Sequence, residues 1–551
     1  MKNPPGSARF YSAFALQNRI IKPDMRRNLS VLLLSCYSLF AQAPTAPAPA
    51  RPKLVVAIIV DQFRYEYLQR FQADYTSGLK RLSTEGAVFD DAHYIHAGTE
   101  TAPGHSTFLS GATPSISGIV ANEWYDRTLK VPVTSVEDRA TQMVGGAPDT
   151  IGASPANLLV ETLGDQIRKQ GKDSRIIGVS FKDRAAILPA GRSANGAFWW
   201  DTNSNRWVTS TFYMKTLPDW VADINRARPF ARSLGASWFP LNAKPSDKPF
   251  CTMVAGNADI RYCNTLMATP WGNELIEEFA ERALIEEKLG HHEGTDLLTI
   301  SFSSNDAVGH AMGPDAPEVR DISIRTDRLL GNLLAALDKN VGLNNVTLVL
   351  TADHGVAPMA PLDGVKNDSA KGGRLIIGKL TKLVQDGLTA RFGAGDWVEA
   401  NTGSAMVLRR ATADKLGLDW NKVQQTAAEA ARKMPHIARV YTDSDFNDTV
   451  EYDDEITGAM RKSYFHGRSP DLMILPEPYY NFAAAEAVHG TPYEYDTHVP
   501  VIFFGAGIKP GHYQSKIAPN DIAPTLSDII GVIAPGGSVG HALREILQFS
   551  H

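Results

Sequence analysis

Six short runs of consecutive apolar residues, separated by longer helical patterns, limit the possible folds of this 551-residue chain. Continuous rather than alternating runs are typical of strands that are buried on both faces of a parallel sheet. The runs are Leu54–Val60, Arg175–Phe181, Leu297–Phe302, Val346–Leu350, Leu472–Leu475 and Val499–Phe504. The helical patterns are Thr101–Gly111, Ala156–Gln170, Pro270–Leu289, Pro317–Asp338 and Asn520–Ile530. This alternation predicts an α/β fold with a doubly wound, mostly parallel sheet flanked by helices.

Two long stretches interrupt the alternation and are interpreted as insertions. Residues 189–265 are rich in Trp, Asn, Ser and Pro, and residues 362–470 mix helical, charged and loop patterns. The chain is too long for one compact single-core domain, so a large α/β core with insertions accounts for its length. We therefore expect one α/β domain over 53–551, with both insertions forming a cap over the strand ends.

The N-terminal segment is predicted to be removed. Residues Met25 to Ala43 combine two arginines, twelve mostly apolar residues and an Ala-Gln-Ala signal, which is the pattern of a secretory signal peptide. We expect cleavage after Ala43, with Met25 as a second candidate start, followed by a Pro/Ala linker at 44–52. A lipid anchor at Cys36 and a buried N-terminal helix are the alternatives. A periplasmic or secreted protein without a transmembrane segment is predicted, since a span needs about 20 apolar residues.

Composition and cysteine usage exclude several classes of protein. With 55 Lys+Arg against 60 Asp+Glu, the net charge of -5 argues against a nucleic-acid-binding protein. Three cysteines are too few for a disulfide scaffold. After signal cleavage Cys251 and Cys263 remain, and we expect one disulfide between them, with two buried free thiols as the alternative.

Acidic and imidazole side chains occur where the predicted strands begin or end, and ligands of doubly wound sheets bind beyond the carboxyl ends of the strands. Each such residue alone could be a helix cap, a turn residue or a surface pair. Together they match the oxygen and imidazole ligands of catalytic zinc, with manganese or iron possible, and six ligands divide naturally between two metals. The six residues are Asp61, Asp306, His310, Asp353, His354 and His498.

Thr101 is the candidate nucleophile. It stands two residues before Pro103 at the start of a helical pattern, and proline suits the first turn of a helix. A helix N-terminus binds phosphate well. Thr101 could also be a capping residue only, because a threonine hydroxyl is a poor nucleophile unless a base or a metal activates it. This prediction therefore depends on the metal site.

The motifs resemble those of the threonine-nucleophile (PafA-type) bacterial alkaline phosphatases of the alkaline phosphatase superfamily, over about Lys53 to Leu547. As an ordered set they are highly specific for that family. They are VDQFR (60–64), TAPGHSTFLSG (101–111), GIVANEWYD (118–126), FKDR (181–184), SFSSNDAVGHAMGP (301–314), TADHG (351–355) and HGTPYEYDTHVPVIFFG (489–505).

The resemblance implies two zinc ions per chain and a phospho-threonine intermediate. One zinc would be held by Asp306, His310 and His498. The other zinc would be held by Asp61, Asp353 and His354, with Thr101 as a further ligand and the nucleophile. His105 and His489 also lie in the motifs and are expected to be structural or to support the ligands.

The resemblance also implies that Asn122, Lys182 and Arg184 bind the phosphoryl oxygens. Lys182 and Arg184 are two apart, which in an extended segment would point both side chains to one side, although such a pair can also be an ordinary surface pair. Two fixed cations suit a dianionic monoester better than a diester, which carries one charge less.

The sequence therefore predicts an alkaline phosphatase that acts on small-molecule phosphate monoesters, without a nucleic-acid partner and as a monomer. A nucleotide pyrophosphatase/phosphodiesterase of the same superfamily is the first alternative, and Lys182 with Arg184 argues against it. A non-catalytic periplasmic protein that binds zinc or phosphate is the second alternative. A sulfatase is disfavoured because Thr101 cannot be converted to formylglycine.

Overall fold

The computed structural model describes residues 51–171, 173–254, 263–360, 372–446, 454–482 and 487–548. The predicted signal peptide at 1–43 and most of the predicted linker at 44–52 lie outside these residues and stay predictions. In the described part of the chain, no helix combines the length and the apolar character that a membrane crossing requires.

Eleven strands form the central sheet, and the five in its middle are parallel neighbours. Four of these five confirm predicted strands, whereas Gly196–Asp201 lies in a segment that was interpreted as an insertion. In spatial order the strands are Gly511–Tyr513, Ala87–Phe89, Val501–Gly505, Val346–Thr351, Leu54–Val60, Asp296–Phe302, Ile176–Ser180, Gly196–Asp201, Arg206–Ser210, Glu137–Val144 and Ile151–Ala153.

Two of the six apolar runs do not become parallel strands of this sheet. Val501–Gly505 runs antiparallel to Val346–Thr351, and Leu472–Pro476 lies in a separate four-stranded antiparallel sheet. A continuous apolar run indicates that a strand is buried on both faces. It does not indicate the direction of the strand or which strand lies next to it. For that reason, the prediction of parallel strands was wrong for these two runs.

The packing of the strand Leu54–Val60 on both faces explains why its sequence is apolar throughout. All seven of its residues are buried. Val56 and Ile58 belong to the hydrophobic core on one face, together with Phe279, and Ala57 belongs to the core on the other face, together with Phe108. Successive side chains of a strand point to opposite faces, so a strand between two helical layers needs apolar residues at every position.

Helices cover both faces of the sheet, and the five predicted helical patterns each contain one. The pattern 156–170 is helical only from Leu163, because Thr162 and Asp165 form a capping box that starts the helix there. The helices are Glu66–Arg70, Gly78–Glu85, Thr101–Ser110, Pro114–Ser117, Leu163–Lys169, Asp183–Ala190, Asp219–Arg226, Pro270–Glu286, Ser304–Met312, Pro317–Asn340, Ile377–Phe392, Arg410–Lys415, Trp420–Ala431, Glu455–Ser463, Glu494–Thr497 and Ile522–Ile530.

The separate four-stranded sheet has its own hydrophobic core. Its strands are Val398–Asn401, Ala405–Leu408, Leu472–Pro476 and Ile437–Tyr441 in spatial order. The two helices Ile377–Phe392 and Trp420–Ala431 pack on it through Leu380, Val384 and Val423. That this part of the chain caps the strand ends stays a prediction.

Three two-stranded sheets complete the described strands, and one of them carries a disulfide. They pair Glu123–Asp126 with Val131–Thr134, Ser237–Trp238 with Cys251–Thr252, and Gly373–Arg374 with Tyr480–Asn481. Cys251 is joined to Cys263 by a disulfide, as predicted.

We expect Gly78→Ala to destabilise the fold by about 1–3 kcal/mol, the usual cost of overpacking. Gly78 begins the helix Gly78–Glu85, and an added methyl group would collide with Leu330 and the backbone beside it. Gly378→Ala is the matched control, because Gly378 lies in the first turn of Ile377–Phe392 with no atom within 4 Å of the added carbon. Urea unfolding of both variants measures the difference, and equal stabilities would contradict this account of the helix contact.

Candidate active site

The parallel strands bring three predicted site segments to one edge of the sheet. Val60 pairs with Phe302, and Ile59 pairs with Thr351, so the three strands end in register. Asp61 follows the first strand directly, and Asp353 lies two residues after Thr351. The helix Ser304–Met312 starts two residues after Phe302. This shared edge explains why residues far apart in the sequence lie close together in the fold.

The helix Ser304–Met312 presents Asp306 and His310 on one face, because residues four apart are neighbours on a helix. His310 Nε2 lies 3.1 Å from Asp306 Oδ1. His310 Nδ1 donates to the carbonyl oxygen of Ala487 at 2.6 Å. A carbonyl oxygen can only accept, so this bond requires a proton on Nδ1 and leaves Nε2 as the atom that can bind a metal when it is unprotonated. Burial alone would lower the pKa of His310, but its contacts with Asp306 and Ala487 raise it.

Asp61, Asp353 and His354 are fully buried beside this helix. His354 Nε2 lies 3.6 Å from Asp61 Oδ1 and 3.5 Å from Asp353 Oδ2. These three atoms have no hydrogen-bond partner among the described residues. Buried polar atoms are normally paired, since leaving one unpaired costs free energy, and an unpaired set of this kind points to a missing ligand.

His489, which was expected to be structural or to support the ligands, lies among the donor atoms of this cluster. Its Nε2 lies 3.3 Å from His310 Nε2 and 3.9 Å from Asp306 Oδ1. Its ring stacks on that of His354 with 3.5 Å between the centroids. His489 Nδ1 donates to the carbonyl oxygen of Thr99 at 2.7 Å, so its Nε2 also carries a lone pair.

His498 does not reach the cluster, so its predicted place in the first ligand group is corrected to His489. The strand after His498 lies beyond Val346–Thr351, and the ring stacks between Tyr65 and His93, with centroids 4.4 and 4.3 Å away. His498 Nε2 donates to the carbonyl oxygen of Asp90. His489 and His498 both lie in the motif 489–505, so the motif alone did not indicate which of the two reaches the cluster.

The donor atoms fit divalent metal binding. Two groups can each surround one ion: Asp306 with His310 and His489, and Asp61 with Asp306 and His354. A tetrahedral zinc with Zn–N bonds of about 2.0–2.1 Å separates two nitrogen ligands by about 3.3 Å. The measured separation of the two Nε2 atoms in the first group is 3.3 Å. Carboxylate and imidazole donors without thiolate are the ligands of catalytic zinc sites.

Thr101 and Lys182 lie against the same carboxylates. Thr101 is the first residue of the helix Thr101–Ser110 and is 2% exposed. The ammonium group of Lys182 donates to Thr101 Oγ1 at 3.2 Å, and to Asp61 Oδ2 and Asp306 Oδ2 at 2.6 Å each. The threonine hydroxyl therefore faces a cation and the positive end of a helix, and both stabilise a developing alkoxide.

Asn122 is placed beside the nucleophile by backbone contacts. Its Oδ1 accepts from the N–H of Ala102 at 2.8 Å, and its own N–H donates to Glu100 Oε2 at 2.8 Å. With the carbonyl end of the amide engaged, the NH₂ end is the part of Asn122 that can donate to a ligand. The sequence alone did not indicate that Asn122 contacts Glu100 and Ala102, because these residues are far apart along the chain.

Lys182 and Arg184 are not two residues of one extended segment. Lys182 is extended and caps the helix Asp183–Ala190, in which Arg184 is the second residue. The guanidinium lies 3.7 Å from Asp183, and its charge lowers the pKa of Glu100, which burial raises overall. The prediction that Lys182 and Arg184 lie in one extended segment was therefore wrong, although both cations lie on the Thr101 side of the sheet edge.

Burial and neighbouring charges set the protonation states of the cluster. Burial alone would lower the pKa of Lys182, but the charges of Asp306, Asp61 and Asp353 together outweigh it and raise that pKa. Burial alone would raise the pKa of Asp306, but His310 and Lys182 hold it well below its usual value. Burial lowers the pKa of His354 and lowers that of His489 strongly. At neutral pH these two imidazoles are therefore neutral, which is the form that binds metals.

His105 has the structural role that was expected. Its Nδ1 contacts the carbonyl oxygen of Thr101 at 2.8 Å, and its Nε2 contacts Ser301 Oγ at 2.8 Å. Both ring nitrogens are engaged, so this ring ties the first turn of the Thr101 helix to the strand Asp296–Phe302. Asp353 Oδ2 lies 3.2 Å from the same ring.

The chain matches known proteins over most of its length. The family described as type I phosphodiesterase / nucleotide pyrophosphatase matches residues 55–499. Alkaline phosphatase PhoV of Synechococcus elongatus is 34% identical over 94% of this chain and 99% of its own length. Alkaline phosphatase PafA of Elizabethkingia meningoseptica is 32% identical over 91% of this chain and 95% of its own. The crystal structure of wild-type PafA matches with a TM-score of 0.83 and 31% identity, covering 91% of this chain and 100% of that one.

The chain belongs to the type I phosphodiesterase / nucleotide pyrophosphatase family, whose matching region includes most of the central sheet, the Thr101 helix and the whole Asp/His cluster. Its relatives over nine tenths of the chain include PhoV and PafA, so the resemblance seen in the motifs is confirmed. The protein is an enzyme, a phosphatase of the alkaline phosphatase superfamily.

Proposed function

We propose that this phosphatase hydrolyses small phosphate monoesters in two steps through a phospho-threonine at Thr101. In the first step the Thr101 oxygen loses its proton and forms a bond to phosphorus, while the bond from phosphorus to the alcohol or phenol oxygen breaks and that oxygen takes up a proton. In the second step water attacks the phospho-threonine, which releases inorganic phosphate and restores the hydroxyl. Atoms balance with one water consumed for each monoester.

One observation carries the proposal: the Thr101 hydroxyl, at a helix N-terminus, accepts a hydrogen bond from Lys182, which is also paired with Asp61 and Asp306. A threonine that only capped the helix would have no need for a buried cation at its oxygen. An ammonium group at 3.2 Å favours the ionised form of the hydroxyl and thereby increases its nucleophilicity.

We further propose that two zinc ions bind here. Asp306, His310 and His489 would hold one ion, and Asp61, Asp353 and His354, with Thr101, would hold the other. Bound zinc would supply Lewis-acid stabilisation of the attacking and leaving oxygens. The chain's own contribution is to aim the Nε2 atoms inward through bonds from Nδ1 to backbone carbonyls, and burial keeps His354 and His489 neutral.

The charges beside Thr101 support a monoester as the substrate. Lys182 and Arg184 bring two cations to the side of the site where the phosphoryl oxygens would lie, and Asn122 can add an amide donor. A monoester presents a dianionic group, and phosphoryl transfer spreads charge over its equatorial oxygens. Fixed cations at these oxygens therefore lower the barrier more for a monoester than for a diester. The names of the relatives PhoV and PafA, both alkaline phosphatases, support the same choice.

Secretion is part of the proposal and depends on the segment Met25 to Ala43. A signal peptide there would deliver the enzyme to the compartment in which the disulfide Cys251–Cys263 is stable. N-terminal sequencing of the protein recovered from the periplasm or medium should start at Pro44. A protein retained in the cytoplasm with residues 25–43 intact would contradict this part.

The proposal is tested with an aryl phosphate and the matched aryl diester. We expect the monoester to be hydrolysed faster, and we expect a chelator to lower its turnover by at least about 100-fold, with recovery on adding zinc. A strong preference for the diester would identify a phosphodiesterase instead. A protein that binds zinc but releases phosphate from no monoester would be a binding protein.

A further inference from the structure

Gln62 has a backbone conformation that few residues adopt without a reason. It follows Asp61 directly, has a φ of 62°, and is 2% exposed. The left-handed region is costly for residues other than glycine, and buried residues are held there only when the surrounding contacts demand it. The contacts of Gln62 therefore indicate what this conformation serves.

Both the backbone and the side chain of Gln62 donate to carboxylates of the cluster. The backbone N–H donates to Asp353 Oδ1 at 3.1 Å. The side-chain amide Nε2 donates to Asp306 Oδ1 at 2.7 Å. The same Asp306 oxygen faces His310 Nε2 at 3.1 Å. One residue thus links two carboxylates that follow different strands and belong to different proposed metal sites.

Gly309 makes room for this amide. It lies in the helix Ser304–Met312, one residue before His310. A Cβ atom at this position would overlap the amide oxygen of Gln62, and the next closest atom is also in that amide. The helix would gain stability from alanine here, because glycine is a poor helix former. Glycine at this position therefore leaves the space that the Gln62 amide occupies when it contacts Asp306.

We propose that Gln62 is a positioning residue that holds Asp306 and Asp353 in the orientation needed for metal binding; this inference rests on the proposed function. An amide NH₂ group donates only, so it directs one lone pair of Asp306 Oδ1 toward itself and leaves the other for a ligand. The left-handed turn at residue 62 aims the backbone N–H at Asp353. Donors of this kind around ligating carboxylates typically change metal affinity by about 10- to 100-fold.

The test is a competition titration of the zinc-loaded enzyme against a chromophoric chelator, with Gln62→Gly as the variant. Glycine adopts a positive φ readily and keeps the N–H that contacts Asp353, so only the amide bond to Asp306 is lost. We expect one of the two zinc ions to dissociate at an about 10- to 100-fold lower chelator concentration. The melting temperature of the metal-stripped protein should stay unchanged or rise. Unchanged zinc affinity in the variant would overturn the inference.

Gly309→Ala provides an independent route to the same contact, because its methyl group displaces the amide and removes no hydrogen-bonding group. We expect it to weaken zinc binding as Gln62→Gly does, and we expect no further loss when both changes are combined. Additive losses would overturn the inference, since Gly309→Ala would then act elsewhere. If Gln62→Gly fails to fold, the titration of Gly309→Ala decides alone, and unchanged affinity there rejects the role of Gln62.

The same titration separates this inference from the proposed function. A parent enzyme that binds no zinc overturns both. A parent that binds two zinc ions and hydrolyses the monoester, together with variants of unchanged zinc affinity, overturns only the role of Gln62.

Discussion

Thr101→Ala is expected to lower phosphate release from an aryl phosphate by at least about 1,000-fold, the scale of loss when a covalent nucleophile is removed. The alanine keeps the helix Thr101–Ser110 and removes the oxygen that accepts from Lys182. Both zinc ions should still bind, although the ion held by Asp61, Asp353 and His354 should bind more weakly because its Thr101 ligand is lost. Thr101→Ser is the matched control, and it should retain most of the activity because it keeps the hydroxyl.

The intermediate can be examined directly in the same variants. Acid quenching of the wild-type enzyme during turnover of a radiolabelled monoester should leave label on the peptide that contains Thr101. Thr101→Ala should carry no label. A Thr101→Ala enzyme with full turnover, or label on a different residue, would show that another group attacks phosphorus.

His489→Ala is expected to remove one zinc ion per chain and to lower turnover by at least about 100-fold, because a ligand of the first metal group is lost. The side chain is 8% exposed, and its Nε2 faces His310 Nε2 at 3.3 Å. His498→Ala is the control, since His498 stacks on Tyr65 and bonds to the Asp90 carbonyl oxygen away from the cluster.

Metal analysis of both variants after gel filtration separates a lost ligand from a lost fold. We expect the His498→Ala protein to keep both zinc ions, even if its melting temperature falls because a half-buried ring is removed. If His498→Ala loses zinc and His489→Ala keeps it, the original assignment from the motif order is restored.

The fold class was predictable because buried positions are apolar, and the pattern of apolar residues can be read from the sequence. The strand Leu54–Val60 packs against helices on both faces, so every position must be apolar. The antiparallel direction of Val501–Gly505 was not predictable, because its pattern of burial is the same as that of a parallel strand. Strand direction depends on how the preceding chain returns to the sheet.

The candidate site was partly predictable for a similar reason. Asp61, Asp306 and Asp353 follow strands that end in register, and the order of strand and polar residue is visible in the chain. His489 follows no strand of the central sheet. It reaches the cluster because its loop lies over the helix Ser304–Met312, where the N–H of Ala487 donates to the carbonyl oxygen of His310 and His310 Nδ1 donates back.

By itself, the sequence determined the layered α/β architecture, the family and most of the proposed donor residues. The pattern of apolar residues and the order of the motifs can both be read directly along the chain. Only the tertiary structure brought His489 rather than His498 to the Asp/His cluster, and only it brought Gln62 to two carboxylates. These assignments depend on which side chain points inward after distant segments pack together. The packing of the core sets the distances between these side chains and the directions in which they point. The order of residues in the sequence does not indicate either.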